Sequence, residues 1–244
     1  MEIIEIAVWM GSMMLAWTLL SALCYQLVPA LSCSEAVRKE VIYRSIKGLG
    51  GVLSCLVGAG CYYVELFRDD PITPYTKKVL LMFLPAFYTF DLLHAVYVKD
   101  IHRELFAHHV ITIGLILAWI PLPEVFYVSD RYFSTLTFME MPYGPQCARE
   151  VLRLLGLKNT KLFDVVETLF FYCFLACRGV LAQFTLFIPG IIEINEFHWM
   201  FSALLVSIWC ISNFYVYKVY LKLAARLREK KEMLEKGVEL EWFT

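Results

Sequence analysis

The chain has 244 residues, is 59% hydrophobic and carries a formal net charge of −1, with a mean hydropathy of +0.61. So apolar a composition excludes an ordinary soluble domain, and the near-neutral charge gives no case for nucleic acid as a partner. What remains is an integral membrane protein with no separate soluble module.

The apolar runs predict seven transmembrane helices in an all-α, polytopic chain. The first spans about residues 6–28; Glu2 and Glu5 precede it, and it is too long for a cleaved signal. A loop carrying Arg38, Lys39, Arg44 and Lys47 leads to the second, about 46–66. In it Gly50, Ser54 and Gly58 recur every four residues, which puts them on one stripe that a neighbouring helix can approach closely. The third run covers 79–98 and the fourth about 106–121. The fifth, about 132–151, is the least apolar and is broken by Pro142, Gly144 and Pro145. The sixth is long, 163–192, and the seventh, 197–220, continues into a tail of alternating charge that reads as a helix running into water. A solvated helix lying over anionic lipid is the plain reading of that tail. The eight cysteines fall mostly inside apolar runs, form no CxxC pair and read as small packing residues.

Basic residues collect in alternate loops. Arg38, Lys39, Arg44 and Lys47, then Lys99 and Arg103, then Arg149, Arg153, Lys158 and Lys161, then the tail share one side. The positive-inside rule puts the C-terminus in the cytosol and the N-terminus outside or in a lumen.

On that topology the intramembrane polar groups gather in one half of the bilayer. Asp91 and His94, three residues apart, share a face of the third helix. The adjacent pair His108 and His109 opens the fourth helix, with Thr112 one turn deeper. Glu140 lies mid-membrane in the fifth, Arg178 near the middle of the sixth, and Asn213 and Tyr215 in the cytosolic half of the seventh. Ionisable groups at such depth line a cavity or pair with one another, and Glu140 is the natural partner for Arg178. The expected product is a bundle hollow toward the cytosol. Duller readings stand beside it: the histidines snorkel to the interface, Asp91 and His94 hydrogen-bond for packing, and Asp164 and Glu167 only complement a helix dipole.

These residues resemble the TLC-domain family, which includes the ceramide synthases and the translocating-chain-associated membrane protein. The likeness covers about residues 38–230 and rests on Lys99-Asp100 followed by His108-His109-x-x-Thr112-x-x-Leu115-Ile116. Weaker support comes from Phe87-Tyr88-x-x-Asp91, Cys177-Arg178 and Asn213-Phe214-Tyr215. The resemblance implies a six-helix barrel around a lipid cavity at 38–230, an extra N-terminal helix and loop at 1–37, and a cytosolic tail at 231–244. The chain departs from ceramide synthases after the histidine pair, where a lone Glu140 before Pro142 replaces their paired aspartates. In this it is similar to the smaller TLC-domain proteins.

Two functions follow from the resemblance. One is N-acyl transfer from acyl-CoA to a sphingoid base in the endoplasmic reticulum, with His108, His109 and Asp91 as catalytic residues. His94, Thr112, Glu140, Arg178, Asn213 and Tyr215 would line the cavity. The two imidazoles project about 100° apart on a helix, so one acts as base or acyl carrier while the other orients it or faces Asp91. The alternative is a non-catalytic protein that binds, senses or transfers lipids and sets membrane composition. The partners are membrane lipids and acyl-CoA as co-substrate, with a homo-oligomer open and no bound cofactor. Five histidines without HxxxH spacing set a di-iron centre aside, and no metal is expected.

Overall fold

The computed structural model describes residues 3–27, 34–67, 74–97, 103–119, 135–192 and 199–237. All are helical or in short turns, with no strand among the described residues. In chain order the helices are α1 (Ile3–Leu27), α2 (Glu35–Phe67), α3 (Pro74–Tyr97), α4 (Arg103–Trp119) and α5 (Tyr143–Leu154). The next, α6, runs over 161–192 and α7 over Trp199–Glu235. Three stretches are long and apolar enough to cross a membrane: Ala7–Gln26, Lys161–Gly190 and Ser202–Met233. Met82–Val96 and Phe106–Leu117 are shorter apolar helices.

Local chemistry sets the breaks. A turn at 139–142 ends a short helical segment, and Pro142 stands directly before α5, so the Pro-Gly-Pro interruption falls where the sequence predicts it. Pro145 lies in the first turn of α5, where its missing N–H costs nothing. Gly156 takes a positive φ of 79° just past α5, the left-handed conformation that ends a helix. Thr160 then caps α6, its hydroxyl accepting from the Phe163 N–H at 3.2 Å.

The core centres on α3. Met82, Leu84, Ala86, Phe87 and Tyr88 are all buried, because α1, α2 and α4 pack against this helix. Trp17 of α1 lies against Phe83, Phe87 and Phe90. Outward, α1 presents Val8, Leu15, Leu19 and Leu23, and α6 presents Val165, Leu169, Tyr172 and Phe184, the apolar exterior that a bilayer accepts and water does not.

The small-residue stripe on α2 does bring helices together. A Cβ on Gly50 would overlap the Phe87 ring of α3, and Ser54 is fully buried with its hydroxyl donated to the Gly50 carbonyl. The side chain of Gly58's position lies outside the described set. A second close approach, on the other face, escapes the four-residue spacing. There Gly48 and Gly51 meet Cys147 and Tyr143 of α5, a Cβ on Gly51 falling 2.5 Å from that of Tyr143.

Two expectations are corrected. The second helix begins at Glu35, not near 46, so Arg38, Lys39, Arg44 and Lys47 are helical rather than loop residues. Glu35–Lys39 (2.7 Å) and Glu40–Arg44 (2.7 Å) are i,i+4 pairs that support a polar helical turn which hydropathy alone does not register. The charged end of α7 is likewise not a free helix. Arg226 reaches Glu167 at 2.8 Å and Lys230 reaches Asp164 at 2.8 Å, fastening it to α6. Asp164 and Glu167 are therefore ion-pair partners across helices, beyond any dipole role.

Candidate functional site

Asp91 of α3 is the hub of a buried polar cluster. Its Oδ2 accepts from Lys47 Nζ of α2 at 2.7 Å and lies 2.6 Å from His109 Nε2 of α4. Tyr43 donates its hydroxyl to Oδ1, and the Tyr143 hydroxyl of α5 stands 3.5 Å from Oδ2. An ionised carboxylate only accepts, so His109 carries its proton on Nε2. Lys47 also sits 5.5 Å from the Tyr43 ring centroid and 5.2 Å from that of Tyr143, within range of favourable cation–π contact. Four helices are thus tied to one carboxylate. His94, one turn along α3, stacks on the Tyr43 ring with centroids 3.4 Å apart, outside this hydrogen-bonding set.

A second buried pair lies beyond it. Arg178 Nη2 bonds Glu140 Oε1 at 2.9 Å, and its Nε donates to the Met139 carbonyl at 3.1 Å. Arg178 reaches inward from a π-helical stretch, Leu175–Leu181, that widens α6. The Gln183 side chain answers that widening by donating to the Arg178 carbonyl at 3.3 Å.

Between the two clusters stands His108. It is buried, and neither ring nitrogen has a hydrogen-bond partner among the described residues. Tyr88 and Tyr215 meet it edge-on at 6.1 and 6.2 Å, while Tyr88 stacks on His109 at 4.7 Å. His108 forms the inner end of a cavity of about 210 Å³ that also touches Met139, Phe170, Phe174, Arg178 and Tyr215. Toward the exposed Lys222 the lining turns cationic, with Arg149 and Lys218 beside it and no acidic side chain. Arg149 is shared with the ion-pair network, 2.6 Å from Glu150 and 3.6 Å from Glu167. On its other side His108 borders a small void of about 10 Å³, shared with Tyr88, Thr112 and Glu140.

The sequence-predicted residues therefore separate into groups. His108, Arg178 and Tyr215 line the larger cavity, and Thr112 and Glu140 the small void. His109 and Asp91 are paired with each other behind it. His94 and Asn213 line neither space; Asn213 accepts from Gln183 and donates to the Trp209 carbonyl on the α6–α7 seam. Lys99 and Asp100 lie outside the described residues. Sequence reasoning missed Lys47, read as a loop cation, and the cationic wall of Arg149, Lys218 and Lys222. A lysine embedded before the small-residue stripe was the available signal. The chain matches no protein-family model, no curated protein and no solved structure.

At about 210 Å³ the cavity is smaller than the roughly 300–1,000 Å³ of typical ligand pockets.

Proposed function

We propose that this is a multi-pass membrane protein of TLC type, seven helices with six around the cavity, that transfers an acyl group from acyl-CoA to a lipid amine such as a sphingoid base. The observation that carries the reading is His108: a buried imidazole with free nitrogens, at the floor of a cavity whose outer wall is cationic. A thioester is already activated, so the site has to hold the donor, orient the amine and take one proton. The amine nitrogen attacks the thioester carbonyl, the C–S bond breaks, and the amine proton passes to His108 and then to the leaving thiolate. Arg149, Lys218 and Lys222 supply the field that attracts an anionic donor. In this reading His109 and Asp91 position the helix that carries His108 and do not touch substrate.

The membrane is that of the endoplasmic reticulum, with the N-terminus lumenal and the C-terminus cytosolic. The cationic cavity mouth and the α7 extension then share the cytosolic side with Arg153, Lys158 and Lys161. Engineered glycosylation sites at each terminus test this, and modification of the C-terminal one would reverse it.

The decisive assay supplies labelled acyl-CoA and a long-chain base to the purified protein in detergent. Amide product is expected, and its persistence at full rate in His108→Ala would remove the mechanism. One observation favours a second reading, lipid binding without turnover: the carboxylate backs His109 and not His108. Native mass spectrometry showing a retained phospholipid, with no product from acyl-CoA, would select it.

A further inference from the structure

The small void behind His108 has a composition that its neighbours do not explain. Glu140 Oε1 is taken by Arg178, but Oε2 is buried with no partner among the described residues. Both nitrogens of His108 are in the same position. Thr112 spends its proton on the His108 carbonyl at 2.8 Å, leaving its hydroxyl oxygen free to accept. Those groups share one space of about 10 Å³ that Leu84, Leu136 and Ile208 also line. A buried acceptor left unpaired is costly, and a lone water needs about 10–15 Å³ and two to four polar partners.

We propose that this void is a binding site for a single structural water that joins Glu140 Oε2 to one ring nitrogen of His108. The water donates one hydrogen to Glu140 Oε2, which can only accept. Its second hydrogen goes to the Thr112 hydroxyl oxygen, and its lone pair accepts the proton of one His108 ring nitrogen. The neutral ring therefore carries its proton on the nitrogen that meets the water. Arg178 holds Glu140 in place through Oε1, so Arg178, Glu140 and the water form a chain that selects one tautomer. The other groups packed on the ring are Tyr88, Tyr215 and His109, and none of them hydrogen-bonds a ring nitrogen. Glu140 is thus a positioning residue acting through the water. Under acyl transfer, this tautomer leaves the other ring nitrogen of His108 unprotonated, ready to take the amine proton.

The water site does not depend on the acyl-transfer reading, because its readout is the ring itself. Protein labelled with ¹⁵N-histidine and held in lipid nanodiscs would show the His108 nitrogens, assigned by their loss in His108→Gln. The expected result is one dominant neutral tautomer with a water cross-peak to the ring. Glu140→Gln should redistribute the two tautomers. Leu136→Phe, which fills the void and leaves the Glu140–Arg178 pair intact, should do so and erase the water cross-peak. An even tautomer mixture without bound water in the wild-type protein would overturn the proposal even if both variants fail to fold. So would tautomer populations unchanged in a folded Leu136→Phe protein. Loss of acyl transfer with the tautomer result intact would instead count against the proposed function alone.

Discussion

The Asp91 cluster and the His108 region lie one residue apart in α4 and are built in opposite ways. At Asp91 the carboxylate faces protein: Lys47 and Tyr43 of α2 and His109 of α4 satisfy it. Around His108 polar atoms face space, both ring nitrogens and Glu140 Oε2 being unpartnered among the described residues. The difference separates two uses of buried charge. A saturated cluster fixes the relative positions of helices; an unsaturated one holds groups ready for something that is not protein. The two are physically joined, since the same turn of α4 that locks His109 against Asp91 aims His108 the other way.

The largest effect should come from cutting the saturated side. Asp91→Ala leaves Lys47 buried without a counter-charge, and loss of such a partner costs about 3–5 kcal/mol. Thermal unfolding in detergent should show an early, broad transition, and an unshifted melting temperature would deny the cluster its structural role. Substituting each histidine by leucine sharpens the contrast. His109→Leu strips a donor from Asp91 and should cost ~1–3 kcal/mol. His108→Leu removes unpaired polar atoms and should leave stability unchanged or raised, while abolishing the proposed acyl transfer. Equal destabilisation by the two would erase the distinction drawn between them. Gly50→Ala presses a methyl group into the Phe87 ring, and overpacking of this kind costs about 1–3 kcal/mol; an unchanged melting temperature would mean that α2 and α3 can part without penalty. The smallest effect belongs to the end of α7. Lys230→Gln, which breaks the partly exposed pair with Asp164, should cost only about 0.2–1 kcal/mol, and the difference from wild type should shrink in high salt. A salt-independent loss would show that the contact is more deeply desolvated than its geometry indicates.

The sequence by itself determined the all-helical class, most helix positions, the break around Pro142 and the polar residues that meet inside the bundle. Apolar run length and the rigid ring of proline act locally, so they are written along the chain. The Glu140–Arg178 pair was legible too, because two opposite charges at similar depth leave few alternatives. Which histidine takes the carboxylate was not. His108 and His109 have the same chemistry and nearly the same depth, and only the azimuth of α4 against α3 decides that one faces Asp91 and the other the cavity. Lys47 shows the same limit: a cation at the polar end of a helix reads as a loop residue until the fold brings Asp91 within 2.7 Å and makes its burial tolerable.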